Sequence, residues 1–597
     1  MSKLSMPNVL TVFVALTAGS ALASPAGRLF AQEVLDCPDV DDITEGMEPA
    51  LAHVRYLADD ALEGRGAGTS GARCAAQYIA DQFEAIGLEG AGPNGAYFQP
   101  FPIRAGAALG AGSTLRTPQT TYTFAEDWIP FGYSASAAIT GTLLYGGDGI
   151  NRPQSRNNEY PTLDLTGRIV VVEDGDLTSP SSQALQTDAH FKATVAAGRN
   201  AGGMIILLRD GRGLPDLTGE TRAALRIPVA AARGEAADRI RQAARGGDRA
   251  FLAASVQPRA VEARNVTALL PGSDPVLADE VLIIGAHYDH LGFGGEGSLD
   301  PDAFGEVHNG ADDNASGTSG LIEIARRLSE GDRRPARSIL FLAFTAEEKG
   351  LWGSSHYVRN PLLPIAQTVA MLNMDMIGRL EGRTLTVMGV GTAEEWPDLL
   401  RAANQSMARP LSIATSPDGF GPSDHSSFYG EGLPVLHFFS NTHVDYHRPS
   451  DDWDKVDIEG LDQIVDLVSE VALDVAGVSG SGERIALTPV EPDLAEAHGQ
   501  NPSATTSGGY GPYLGTIPDM VPVDAGLRLT GVREGSPAAD AGIRGGDIVL
   551  EFGGREVADI YGYTYALQAH EPGDAVEIVV LRDGERLTLT AVLGDRR

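Results

Sequence analysis

Five short stretches carry residue types that could do chemistry together: HYDH (287–290), GADDNASG (310–317), AEEKG (346–350), NMDMIG (373–378) and DYHRPSDD (445–452). Their imidazoles and carboxylates are enough to hold two divalent cations and leave a carboxylate over. Two such ions with a spare base can polarise a carbonyl, activate a water and carry a proton, which is hydrolytic chemistry.

The elements that must position these residues are strands. VLIIGA (281–286) ends at His287, SILFLAFTA (338–346) at Glu347 and Glu348, and TVAMLNM (368–374) at Asp375, while PVLHFF (434–439) feeds the loop that reaches His447. Ligands of open α/β sheets bind beyond the carboxyl ends of the strands, so four strands aim metal-type residues at one rim. One His or Asp after a strand is ordinarily a turn or a helix cap. The whole set is hard to explain by capping.

Composition narrows the class. With 597 residues the chain divides into about three domains. Lys plus Arg number 45 against 80 Asp plus Glu, a net charge of −35 that repels phosphate backbones and argues against nucleic-acid binding. Lys3, the apolar run VLTVFVALTA (9–18) and Ala21-Leu22-Ala23 read as an export signal over 1–23, its apolar run too short to span a bilayer. A periplasmic or extracellular destination follows, with no transmembrane segment. The two cysteines, Cys37 and Cys74, would then meet an oxidising compartment, as a disulfide or as two buried thiols.

The spacing predicts helices over 45–88 with a break at GRGAGTSG (64–71), the second carrying Ala75, Ile79, Phe83 and Ile86 on one face and stopping at Gly87. Short strands dominate 109–261. Long β-runs alternating with amphipathic helices over 262–478 predict an α/β domain with a mainly parallel central sheet flanked by helices. A linker (479–510) and a β-rich module (511–597) follow.

The five stretches, in this order, resemble the co-catalytic dizinc aminopeptidases, a family related to glutamate carboxypeptidase and glutaminyl cyclase. The resemblance covers 40–108 and 262–478 and implies the zinc exopeptidase fold with two Zn²⁺ per chain, Co²⁺ or Mn²⁺ being possible substitutes. By that resemblance His287 and Asp375 hold one ion, Glu348 and His447 the other, and Asp313 bridges them. Glu347 is the general base, Asp289 hydrogen-bonds the His287 imidazole, and Tyr446 donates to the oxyanion. Gly310, Asp312 and Asn314 shape the loop, with a cis peptide expected at Asp313-Asn314. Asp424 and His425 read as pocket wall, and His290 and His308 as solvated or supporting residues.

Residues 109–261 resemble a protease-associated domain through TGRIVVVEDGD, a helix holding Lys192, AGGMIILLRD and RIPVAAA. Such an insertion either lids the cleft or stands as a passive module. Residues 511–597 resemble a bacterial PDZ domain, with GPYLGT (511–516) as its carboxylate loop and REGSPAADAGIRGGDIVLEFGGREV (533–557) as its second half. Leu514 and Gly515 would form the loop that captures a C-terminal peptide ligand.

The leading expectation is an exported dizinc aminopeptidase acting on peptides with a free N-terminus. A carboxypeptidase or glutaminyl cyclase on the same scaffold is the alternative, although no arginine cluster stands beside the motifs. A non-catalytic peptide-binding protein is the third, set against the intact Glu347 and full ligand set. Oligomeric state is not legible in the chain.

Overall fold

The computed structural model describes residues 37–149, 164–174, 188–215, 224–294, 297–300, 305–380, 384–477, 512–519, 525–533, 535–557, 560–568 and 572–595, with a few single positions between them. The expected leader (1–23) and linker (479–510) lie outside the described residues. Among the described residues no helix is long and apolar enough to cross a membrane.

Four strands form the centre of the main sheet, in the order Ser338–Phe344, Val281–His287, Thr368–Met374, Val435–Phe439, and all run parallel. Nearly every residue of the first three is buried, because helices cover both faces and an apolar run without alternation is what such a strand requires. Antiparallel neighbours extend the sheet on either side, Val256–Leu270 against Ser338–Phe344 and Leu385–Met388 against Val435–Phe439. The chain leaves Val281–His287 towards one side and then crosses over it to reach Thr368–Met374 on the other. That reversal opens a crevice beyond the carboxyl ends of these two strands, where His287 and Asp375 emerge.

Helix Ser70–Ile86 starts on the Thr69 side-chain cap and stops at Gly87, whose φ of +86° favours glycine. Cys37 and Cys74 are joined by a disulfide that ties the preceding arm to this helix. Helices Pro49–Leu57, Gly317–Glu330 and Ile458–Ala476 pack together on one face of the sheet.

Strands Phe98–Leu109 and Val256–Leu270 pair over their length and carry the chain out to a second sheet of seven strands. Its middle strands, Ala138–Tyr145, Ile169–Glu173, Gly203–Leu207 and Val229–Ala232, are parallel. Separate apolar clusters cover its two faces, so this module owns its core. Residues 512–595 build a further sheet, with Thr516–Pro518 at one edge and helix Ile560–Gln568 packed on it.

Arg65 ends the 3-10 segment that interrupts the two N-terminal helices, and it is fully buried. Its guanidinium donates to the carbonyls of Tyr288 (2.7 Å), Asn309 (2.7 Å), Gly310 (2.9 Å) and Leu57. Burial lowers its pKa to about 10, against the pull of Asp289, Asp313, Asp451 and Glu348, so it stays protonated at neutral pH. This one side chain straps the loop after His287 to the loop before Asp313. Arg65→Ala leaves buried acceptors without a donor and should cost about 3 kcal/mol or more in urea unfolding.

Candidate metal centre

Asp313 stands between two imidazoles. Its Oδ1 lies 3.4 Å from His287 Nε2 and its Oδ2 lies 3.2 Å from His447 Nε2. Each imidazole faces one further carboxylate, Asp375 at 3.3 Å from His287 and Glu348 at 3.3 Å from His447. Ligand atoms about 2.1 Å from a tetrahedral ion stand about 3.4 Å apart, so these separations fit one ion on each side of Asp313. Imidazole and carboxylate donors with no thiolate suit zinc.

Hydrogen bonds fix the loops that present these groups. The main-chain N–H groups of Asp312 and Asp313 donate to Asp451 Oδ2 at 2.9 and 3.1 Å, and Arg379 holds Asp451 Oδ1 at 3.1 Å. Asp312 turns away from the imidazoles of His287 and His447, its Oδ1 accepting from Gly378 N at 2.6 Å and Ser316 Oγ at 3.0 Å. Asn314 clamps the Asp375 loop, accepting from Met376 N and donating to Met374 O. The Asp313-Asn314 peptide is cis. Gly310 has φ +55°, and a Cβ there would lie 2.0 Å from Asp313 O and 2.5 Å from the His290 ring.

Three non-glycine residues in this region have left-handed backbones: Ala346 (φ 58°) before Glu347, Met376 (φ 53°) after Asp375, and His447 itself (φ 55°). Such strain persists only where surrounding contacts enforce it, and it gathers at functional positions. The His447 ring is further held by Gly297 O at 2.7 Å from its Nδ1.

Neighbouring Glu347 and Glu348 face different imidazoles. Glu347 Oε2 lies 4.0 Å from His287 Nε2, whereas Glu348 faces His447 and places Oε1 2.7 Å from His290 Nδ1. Burial raises the pKa of Glu347 well above the usual carboxylate range, and Glu348 and Asp375 add to it against the pull of His287. Burial works the same way on Glu348, but the His290 and His447 rings win and hold it at about 2. Burial would lower the His447 pKa, but Asp313 and Glu348 beside the ring raise it to about 11.

One expectation needs correction. His287 Nδ1 lies 3.1 Å from the main-chain carbonyl of Asp289, while the Asp289 carboxylate is 3.8 Å away. That carboxylate instead accepts from Glu347 N at 3.1 Å, and burial raises its pKa to about 6. The backbone after His287 brings the Asp289 carbonyl to the ring's Nδ1 and leaves its side chain to the Glu347 loop. For His290 and His308 the structure favours the supporting of the two expected roles over the solvated one. His290 is 1% exposed and stands against Glu348, and His308 is buried, with Ser298 Oγ 2.8 Å from its Nε2.

The cleft is lined by Asp313, Glu347, Glu348, Asp375 and His447, together with Tyr446, His437, Thr442, Met376, Met388, Pro422 and Phe439. Tyr446 stacks on the His447 ring at 3.9 Å, and burial with the nearby acids raises its phenol pKa above the ordinary value. Asp424 and His425 lie buried beneath the cleft. Burial lifts Asp424 to about 7, and His425 stacks on His437 at 4.2 Å. His437 escaped the sequence reading because it sits inside a strand, where its only signal is a polar residue in an apolar run. Leu514 and Gly515 belong to the last sheet, Leu514 in its core and Gly515 at φ +86° against Ser536.

Residues 265–472 match peptidase family M28, and residues 512–593 match the PDZ domain. Leupeptin-inactivating enzyme 1 of Streptomyces exfoliatus is 32% identical over 185 residues, covering 31% of this chain and 37% of that protein. Aminopeptidase YwaD of Bacillus subtilis (strain 168) is 29% identical over 198 residues, covering 32% of this chain and 40% of that protein. The chain thus spans about two fifths of the length of these curated relatives. Among solved structures, BSAP, a zinc aminopeptidase from Bacillus subtilis, aligns with 73% of this chain and 96% of its own at 22% identity and a TM-score of 0.47. The chain therefore carries a domain of peptidase family M28, followed by a PDZ domain.

Proposed function

We propose that the chain is an exported zinc aminopeptidase that removes residues from peptides with a free N-terminus. The observation that carries this reading is Asp313, whose two oxygens each face an imidazole that has one further carboxylate beside it. His287 and Asp375 would hold one ion, Glu348 and His447 the other, and Asp313 both. Bound there, two zinc ions would polarise the scissile carbonyl and ease deprotonation of the attacking water. Co²⁺ or Mn²⁺ could use the same donors.

Glu347 takes the proton from that water and passes it to the leaving amine. Asp289 supports it by accepting the Glu347 main-chain N–H, which fixes where the base projects. Tyr446 keeps its proton and can donate it as a hydrogen bond to the carbonyl oxygen as charge develops there.

The lining residues decide which end of a peptide enters. Four are carboxylates and none is Lys or Arg. With two divalent ions bound the charge of these carboxylates is offset, and what remains is that no Lys or Arg among the lining residues can pair with a C-terminal carboxylate, which favours aminopeptidase over carboxypeptidase action. Met376, Met388, Pro422 and Phe439 offer an apolar wall for the first side chain.

Residues 1–23 act in this reading as a leader, and the Cys37–Cys74 disulfide suits an oxidising destination in the periplasm or outside the cell. Residues 109–261 form a protease-associated insertion. The loop around Leu514 and Gly515 takes the C-terminus of a peptide.

Purified protein should hold two zinc ions per chain by elemental analysis, and Gly310→Ala, which drives a methyl into the Asp313 loop, should hold fewer. Glu347→Gln should keep both ions and lose about 10²–10⁴-fold in kcat; a fully active variant would move the base elsewhere. A peptide with free N-terminal Leu should be cleaved, and its acetylated form spared. Equal cleavage of the two would sink the aminopeptidase reading.

A further inference from the structure

The PDZ module touches the loop that leads to one wall of the cleft. Pro422 lines the cleft and ends the loop 417–422, whose Asp418 Oδ1 accepts from Phe420 N at 2.9 Å. The other carboxylate oxygen of Asp418 accepts from Arg533 of the PDZ module at 2.8 Å. Arg533 in turn donates its main-chain N–H to Gly515 O at 2.7 Å, inside the carboxylate loop. The Phe420 ring packs on Tyr429 and lies over Gly531, where a Cβ would come within 2.9 Å of it. A continuous path of contacts thus runs from the carboxylate loop to the cleft wall.

The two walls of the PDZ groove rest on different parts of the molecule. Among the described residues Thr516–Pro518 is an edge strand paired on one side only, and Asp519 just beyond it is bound by Arg359, at the end of the helix that follows Glu347 and Glu348. Helix Ile560–Gln568, the opposite wall, packs on helix Ala189–Gly198 of the seven-stranded module. A hydrogen bond between the hydroxyls of Thr516 and Tyr563 joins the two walls.

We propose that the PDZ module senses free peptide C-termini and reports them to the substrate cleft through Arg533, Asp418 and the loop 417–422. The occupant is an extended peptide with a free terminal carboxylate and an apolar last side chain. The carboxylate is taken by main-chain N–H groups of the loop around Gly515, and the strand pairs with Thr516–Pro518. Its entry loosens the seat of Arg533 on Asp418, and the substrate's first residue binds less well. The coupling rests on the aminopeptidase reading only for its kinetic readout.

The test uses the full chain with an N-acetylated heptapeptide ending in free-carboxyl Val, which cannot serve as substrate, and the same peptide amidated. Saturating free-acid peptide should raise KM for leucine p-nitroanilide about five-fold with kcat unchanged, and the amide should have no effect. Asp418→Asn should bind the acid peptide and lose the KM response. Hydrogen exchange of residues 417–422 should rise with the acid peptide in the wild type and not in the variant. Failure of the acid peptide to bind overturns the proposal. So does saturating binding with no change in KM or exchange, and so does an equal response in Asp418→Asn. A chain that turns over no aminoacyl substrate would remove the aminopeptidase reading, while the exchange measurement would still decide the coupling.

Discussion

Four carboxylates, Asp313, Glu347, Glu348 and Asp375, converge on one cleft with no Lys or Arg among its lining residues, and the surrounding structure is arranged around that crowding. Like charges this close cannot all stay ionised in a buried site without cations nearby. The chain's own response shows the pressure: the His447 ring holds its proton up to about 11, and Glu347 takes up the opposite burden with a carboxyl raised well above its usual range. Arg65 places a buried positive charge beneath the same loops, bound to carbonyls rather than to any one acid. It can moderate the field without competing for a carboxylate that faces the cleft.

Much of this was legible in the chain because of one physical rule. A parallel strand buried on both faces must be an unbroken apolar run, so its end is visible where the run stops, and ligand-type residues at four such stops point to one rim. What was not legible depends on backbone conformation past the strand ends. Whether Asp289 offers His287 a carboxylate or a carbonyl turns on how the chain bends within two residues, and strand alternation says nothing there. The burial of His290 depends on Arg65 and Gly310, more than two hundred residues apart in sequence. His437 is hidden inside an apolar strand, and only its packing on His425 and its place in the cleft reveal it.

The PDZ contacts were illegible for a different reason. Arg533, Asp519 and Asp418 are charged residues of an acidic chain, and nothing in their local pattern says which of many possible partners each one meets. Surface ion pairs of this kind add little to stability, commonly less than about 1 kcal/mol each. Their weight lies in orientation. Asp519 is buried at its end of the contact with the more exposed Arg359, and the Arg533 backbone is held by its main-chain bond to Gly515.

Strain and charge combine at the same positions. Ala346, Met376 and His447 adopt left-handed backbones, and each adjoins or supplies a group that faces the cleft. Left-handed non-glycine residues cost of order 1–3 kcal/mol each, and buried like charges add to that cost. The parallel core beneath, apolar at Ile283, Leu340 and Leu372, can offset it. Under the dizinc reading the ions relieve the repulsion directly. Since an unfolded chain has no such site, their binding energy becomes folding energy for these loops. Under that reading the sheet would form without cations while the cleft would gain order from them, so the region proposed for the chemistry would be the one whose order depends most on its ligands.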